Sequence, residues 1–199
     1  GFIRPSSGRL VGNSRQDAIP RDELVQICTR LHQRCVLPDE TTVLDFLSVC
    51  RFPQLASSFA TQRSLSQRAA EEFDAEWLEG DLGAFFLLSD LLPTAPNRLD
   101  RLSVGQARIV AITSVFLNDP PIALLDEPFA GLAPEARKAL VRVINSEKQK
   151  RSIVIVEHDI DTLFECVDAL SVLSAGKIGQ QITSPSDTTK IELMKSFYE

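Results

Sequence analysis

The run Ile122-Ala123-Leu124-Leu125-Asp126-Glu127-Pro128 sets a continuous apolar stretch directly against two adjacent carboxylates. A short apolar run of this kind reads as a strand buried on both faces, as in a parallel sheet. Acids at the end of such a strand fall on the carboxyl edge of the sheet, where ligands of open α/β folds bind. Asp126 is thereby a candidate to hold Mg²⁺ through water, and Glu127 to orient or deprotonate an attacking water. The plain alternative is two solvated acids at a strand end. Four apolar residues leading straight into Asp-Glu-Pro favour the site.

Toward the C-terminus the same alternation continues. Pro134 suits a first helical position, and Ala136, Leu140, Val143 and Ile144 share one helical face. Lys148 to Arg151 reads as a solvated basic helix end that complements the dipole. Ile153 to Val156 is a second buried strand, running into Glu157-His158-Asp159. Ile160, Leu163, Phe164 and Val167 come next with helical spacing, and Ala169 to Leu173 is a third strand closed by an Ala175-Gly176 turn. Strands and helices that alternate with short links predict an α/β fold with a parallel sheet. The two strand ends then share one edge, so His158 is able to approach Asp126 and Glu127. A lone histidine is more often structural or merely exposed, but its place at a matching strand end raises the functional reading.

Toward the N-terminus, Leu102-Ser103-Val104-Gly105-Gln106 opens a helix that Asn118-Asp119-Pro120-Pro121 closes. Ser103 and Gln106 form a capping box, and a capped helix start with Gly105 in its first turn offers free backbone N–H groups to a phosphate. Taken alone this is weak, because most caps serve only the helix. Arg63 to Phe73 and Glu79 to Leu92 read as helices, and residues 53–99 carry no convincing strand. Arg9-Leu10-Val11 suggests a strand and Arg21 to Arg30 a short helix. The expected division is a partial core over 1–52, a helical subdomain over 53–99 and the rest of the core over 100–199. Nothing local singles out Gln33, in Leu31-His32-Gln33-Arg34.

The 199 residues, 44% hydrophobic with net charge −6, suit one large domain or a domain with a subdomain. Twenty-one Lys plus Arg against 27 Asp plus Glu argue against a nucleic-acid binder held by a broad basic field. No apolar run approaches the roughly 20 residues of a membrane-spanning helix, and no basic-then-apolar leader opens the chain. Cys28, Cys35, Cys50 and Cys166 form no C-x-x-C pair and have only two histidines for company, so reduced thiols in a cytosolic protein are expected rather than a zinc site.

Together these residues resemble the ATP-binding cassette ATPases. Leu102–Gln106 is similar to the signature, Ile122–Glu127 to the Walker B strand, Ala130-Gly131-Leu132-Ala133-Pro134 to the D-loop, His158 to the switch histidine and Gln33 to the Q-loop glutamine. Gly131-Leu132, Glu157-His158-Asp159 and the Gly1-Phe2-Ile3-Arg4-Pro5-Ser6-Ser7-Gly8 opening look most like the branched-chain amino acid importer ATPases. The resemblance covers essentially the whole chain. It implies a P-loop NTPase-like core with a helical insertion, ATP and Mg²⁺ as ligands, and transmembrane permease subunits as partners. It also implies a second ATP-binding subunit, a peripheral place on the cytoplasmic face of the membrane, and no nucleic acid.

By that resemblance Gln33 senses the γ-phosphate and Mg²⁺, Asp126 holds the metal, Glu127 activates water and His158 steadies the γ-phosphate. Ser103, Gly105 and Gln106 cap ATP held on the opposing subunit, with Gly131 in the D-loop between the two. Two departures stand against this. None of the nine glycines has another five positions on, and the one Gly-Lys pair, Gly176-Lys177, precedes Ile178, so the phosphate loop G-x-x-x-x-G-K-[ST] is absent. The opening phrase resembles the stretch immediately after that loop in the family, so truncation is the expected reason, and these 199 residues alone are expected to be inactive. Val104 stands where the signature usually has Gly, which narrows the approach of a phosphate. A non-catalytic regulatory cassette and a soluble cassette outside transport are the alternatives.

Overall fold

The computed structural model of the chain describes residues 28–33, 37–52, 73, 75–92, 97–117 and 119–183. The first elements are β1 (Cys28–Leu31), α1 (Val43–Arg51), α2 (Ala75–Glu79), α3 (Asp81–Leu87), a 3₁₀ turn (Leu99–Arg101) and α4 (Val104–Leu117). After them come β2 (Ile122–Asp126), α5 (Pro134–Glu147), β3 (Ser152–Val156), α6 (Ile160–Phe164), β4 (Ala169–Ser174) and β5 (Lys177–Thr183).

The α/β class is as expected. β1, β2 and β3 form a parallel sheet in that order, with Leu31 opposite Leu125 and Asp126 opposite Val156. β2 is central, and its Ala123 and Leu125 are 0% and 1% exposed. α5 covers the sheet with the predicted stripe of Ala136, Leu140, Val143 and Ile144, all buried. α4 is apolar on two sides, which is why it is buried almost all round. Its Ile109, Ile112 and Val115 join the main core, while Val110 and Leu117 join a second cluster with Val43, Leu47 and Phe86. α4 is therefore clamped between the sheet and the helices α1 and α3.

Several expectations are corrected. Cys28 to Arg30, read as the end of a helix, lie in β1, because pairing with Ile122–Leu124 overrides local propensity. The helix read over Glu79 to Leu92 is broken at Gly80, and α3 ends at Leu87 in a turn where Asp90 takes φ 58°. β3 is not buried on both faces: Ile153 and Ile155 pack on the core, but Val154 and Val156 are 52% and 60% exposed. Ala169–Ser174 does not extend the parallel sheet. It pairs antiparallel with β5 across the Ala175-Gly176 turn, whose φ angles of 49° and 76° suit a tight hairpin, and β5 itself was not anticipated.

The basic stretch at the end of α5 is not solvated throughout either. The Arg151 side chain is 5% exposed and pairs with Glu147 at 2.7 Å and with Asp119. α1, also missed, starts at Thr42, whose Oγ1 accepts from the Asp45 N–H at 3.1 Å. The strand expected over Arg9-Leu10-Val11 and the helix expected over Arg63 to Phe73 lie outside the described residues, apart from buried Phe73. No helix among the described residues is long and apolar enough to cross a membrane.

Candidate functional site

The parallel register brings the ends of β1 and β2 side by side. Two residues past β1, the Gln33 Nε2 donates to Glu127 Oε2 at 2.8 Å. Beside them the Arg30 guanidinium reaches Asp126 Oδ2 at 3.2 Å, with both side chains partly exposed. Gln33, 94 residues before Glu127, thus joins the adjacent Asp126 and Glu127 in one polar cluster on the carboxyl edge of the sheet. Glutamine and carboxylates in this arrangement can hold a hydrated cation and a nucleophilic water.

The backbone at Glu127 is shaped for this. Its φ is 47°, a left-handed value that costs a non-glycine residue about 1–3 kcal/mol unless the surroundings enforce it. The Glu127 N–H donates to the Val156 carbonyl at 2.8 Å, extending the ladder to β3, and the Ala130 N–H donates to the Glu127 carbonyl at 3.2 Å. Phe129, wholly buried, pins the turn, and Gly131 leaves it at φ 73°, a conformation that favours glycine. Behind the turn the guanidinium of Arg108, from the second turn of α4, donates to the carbonyls of His32, Gln33, Asp126 and Glu127. Sequence reasoning gave Arg108 no role, although a charged residue directly before the apolar stretch Ile109 to Val115 of a buried helix needs polar partners.

His158 stands on the same sheet edge but makes a different contact. Its side chain is 80% exposed, and Nδ1 lies 3.1 Å from Oε1 of Glu157, whose own side chain is 1% exposed. The backbone N–H of His158 donates to the same oxygen at 3.0 Å. His158 and Glu157 line a cleft of about 730 Å³ between β3 and β4, whose walls include Val156, Leu170 and Val172. Asp159 caps α6 by accepting from the Thr162 N–H and from Arg137 Nη1, each at 3.2 Å. Partial burial pushes the Asp159 carboxyl upward, but the Thr162 hydrogen bonds and the Arg137 charge outweigh it and hold the group below the usual carboxylate range.

Ser103, Gly105 and Gln106 sit at the start of α4 and do not touch the cluster. The capping box is formed: Ser103 N–H donates to Gln106 Oε1 at 2.9 Å, and Gln106 N–H to Ser103 Oγ at 3.3 Å. Gln106 Nε2 also donates to the Ser89 carbonyl at 2.9 Å, tying the helix start to the turn after α3. Val104 is 84% exposed, and a Cβ on Gly105 would meet no atom of the described residues within 4 Å. Among the described residues nothing crowds the approach to this helix start.

Among the described residues no group of three or more His, Cys, Asp or Glu is placed to hold a metal. Asp126 and Gln33 supply one carboxylate and one amide, which fits Mg²⁺ only where substrate phosphates and water complete its shell.

The chain is similar to known proteins. The family model described as ABC transporter matches residues 1–130. The energy-coupling factor transporter ATP-binding protein EcfA2 of Staphylococcus saprophyticus is 33% identical over 94 residues, 46% of this chain and 32% of that protein. The arabinose import ATP-binding protein AraG of Ralstonia nicotianae is 25% identical over 197 residues, 98% of this chain and 36% of that protein. The chain thus spans about a third of the length of these curated relatives. A solved nucleotide-free ATP-binding cassette from an ABC transporter superposes with a TM-score of 0.63 at 22% identity, over 98% of this chain and 76% of that one, and at this identity it speaks for the fold.

Proposed function

From the premise that this chain belongs to the ABC transporter family, which its residues 1–130 match, we propose that it is the nucleotide-binding part of a membrane transporter. The observation that carries this reading is the Gln33–Glu127 contact at the sheet edge beside Asp126. In the proposed reaction ATP and water give ADP and phosphate. Glu127 orients the attacking water and accepts its proton, and Gln33 holds the Glu127 carboxylate and reports on the γ-phosphate. Asp126 and Gln33 would hold Mg²⁺, which when bound neutralises phosphate charge. Arg30 lies on Asp126 and must turn aside for that cation. His158, exposed at the mouth of its cleft, is free to meet the γ-phosphate. Ser103, Gly105 and Gln106 present the start of α4 to ATP on a second ATP-binding subunit, with Gly131 in the loop between them.

The partners in this reading are permease subunits, met by residues 53–99, and the location is the cytoplasmic face of the membrane. Import is favoured by the names of the relatives, an arabinose import protein among them. Branched-chain amino acids or similar small solutes are our choice of cargo, resting on the Gly1–Gly8 phrase, Gly131-Leu132 and Glu157-His158-Asp159. The second reading, a regulatory cassette, is supported by the exposed Val104 at the signature position.

These 199 residues lack the phosphate-loop motif, so titration calorimetry should show no micromolar Mg-ATP binding by them alone; such binding would overturn that expectation. Affinity purification of the native gene product should recover a polytopic membrane protein, and recovery without one would remove the transport reading.

A further inference from the structure

At the sheet edge the side chain of Arg108, which is 5% exposed, donates to four backbone carbonyls. Its Nη1 donates to the His32 carbonyl at 3.1 Å and to the Gln33 carbonyl at 2.9 Å. Its Nη2 donates to the Asp126 carbonyl at 3.2 Å and to the Glu127 carbonyl. One nitrogen serves the end of β1 and the other the end of β2. The two residues whose side chains meet, Gln33 and Glu127, are both held through their own backbone oxygens.

We propose that Arg108 is the positioning residue of this site: it sets the Gln33–Glu127 contact by fixing the spacing of the two strand ends, and it links that spacing to α4. The planar guanidinium is a rigid fork with donors at fixed angles, so the four carbonyls can be satisfied at one separation of the strands only. β1 and β2 end at Leu31 and Asp126, where the ladder stops supplying donors. The left-handed backbone of Glu127 persists only where its surroundings over-determine it, and Arg108 supplies part of that restraint. α4 in turn is gripped on two sides, by Ile109 and Ile112 in one core cluster and Val110 in the other. A displacement of the open helix start at Ser103–Gly105 therefore reaches Gln33 and Glu127 through one side chain. The functional meaning of this link rests on the proposed nucleotide site, but the link itself does not.

The test uses the 199-residue chain without nucleotide, so it reads out whether or not the ATPase reading holds. In ¹⁵N-resolved spectra of the parent, the Arg108 Nη protons should be protected from exchange and show Overhauser contacts to both strand ends; free, rapidly exchanging Nη protons would overturn the proposal with no variant needed. Arg108→Lys keeps the charge but replaces the fork by a point charge. Its Gln33 side-chain amide should move to the position that the same amide takes in Glu127→Ala. A core variant of comparable destabilisation, Val143→Ala, should leave the Gln33 amide in place. An unmoved Gln33 amide in folded Arg108→Lys, or an equal movement in Val143→Ala, would show that Arg108 is merely structural.

Discussion

Glu127 combines a left-handed backbone with a side chain that pairs with Gln33, and the two features separate by substitution. Glu127→Gln keeps the size and an acceptor for Gln33 Nε2, so the fold is retained, but it cannot take a proton. Turnover of the native gene product is expected to fall by about 10²–10⁴, the usual worth of a positioned general base. Glu127→Gly removes the side chain and relieves the φ of 47°. It should lose turnover as fully while its thermal midpoint stays level or rises, since glycine adopts this conformation freely. Thermal denaturation alongside a phosphate-release assay reads both. A Gln variant with near-parent turnover would show that Glu127 is not the base, and a Gly variant markedly less stable than the Gln variant would show that the left-handed turn stores no strain.

At the level of elements, what was legible in the sequence was what is local. The β2 strand, the buried stripe of α5 and the capping box of α4 each arise from residues a few positions apart, and each stands in the structure as read. The departures come from partners distant in the chain. β1 is a strand because β2 lies beside it, β4 turns back on β5, and Arg151 is buried because Glu147 and Asp119 converge on it. The Gln33–Glu127 contact spans 94 residues, so no local pattern could announce Gln33. The first turn of α4 makes a prediction of its own. Among the described residues nothing crowds Gly105, so Gly105→Ala should stabilise the chain by about 0.5–1 kcal/mol through helix propensity. If the glycine serves a phosphate approaching the backbone, the same substitution in the native gene product should weaken its ATP-dependent pairing, and Val104→Gly there should strengthen pairing and raise turnover. Chemical denaturation and light scattering with Mg-ATP distinguish these effects. A stabilising Gly105→Ala that leaves the native gene product pairing as the parent does would leave the glycine without a ligand-facing reason.

Across the whole molecule, stability is distributed unevenly, and the site straddles the division. β2 has a strand on each side and residues of 0–1% exposure, whereas β4 finds its hydrogen bonds in β5, and the hairpin carries Leu173 and Ile178 at 70% and 75% exposure. Local opening draws on regions with few buried apolar contacts and solvent-exposed backbone bonds. Hydrogen exchange should therefore find the β2 amides protected to the full unfolding free energy and the β4–β5 amides released by a smaller opening. Leu125, 1% exposed, offers the discriminating change. Leu125→Ala should cost about 2–5 kcal/mol of global stability and speed β2 exchange by the matching factor. The hairpin amides, governed by their own opening, should keep their rates until the global value falls to meet them. His158 lies between these regimes, since its cleft has β3 as one wall and β4 as the other. Its exposed imidazole, set at the end of the β3 wall, thus faces a β4 wall that moves without unfolding the Gln33–Glu127 end of the sheet. Equal acceleration of β2 and β4–β5 in Leu125→Ala would show instead a single cooperative unit, with His158 as firmly placed as Glu127.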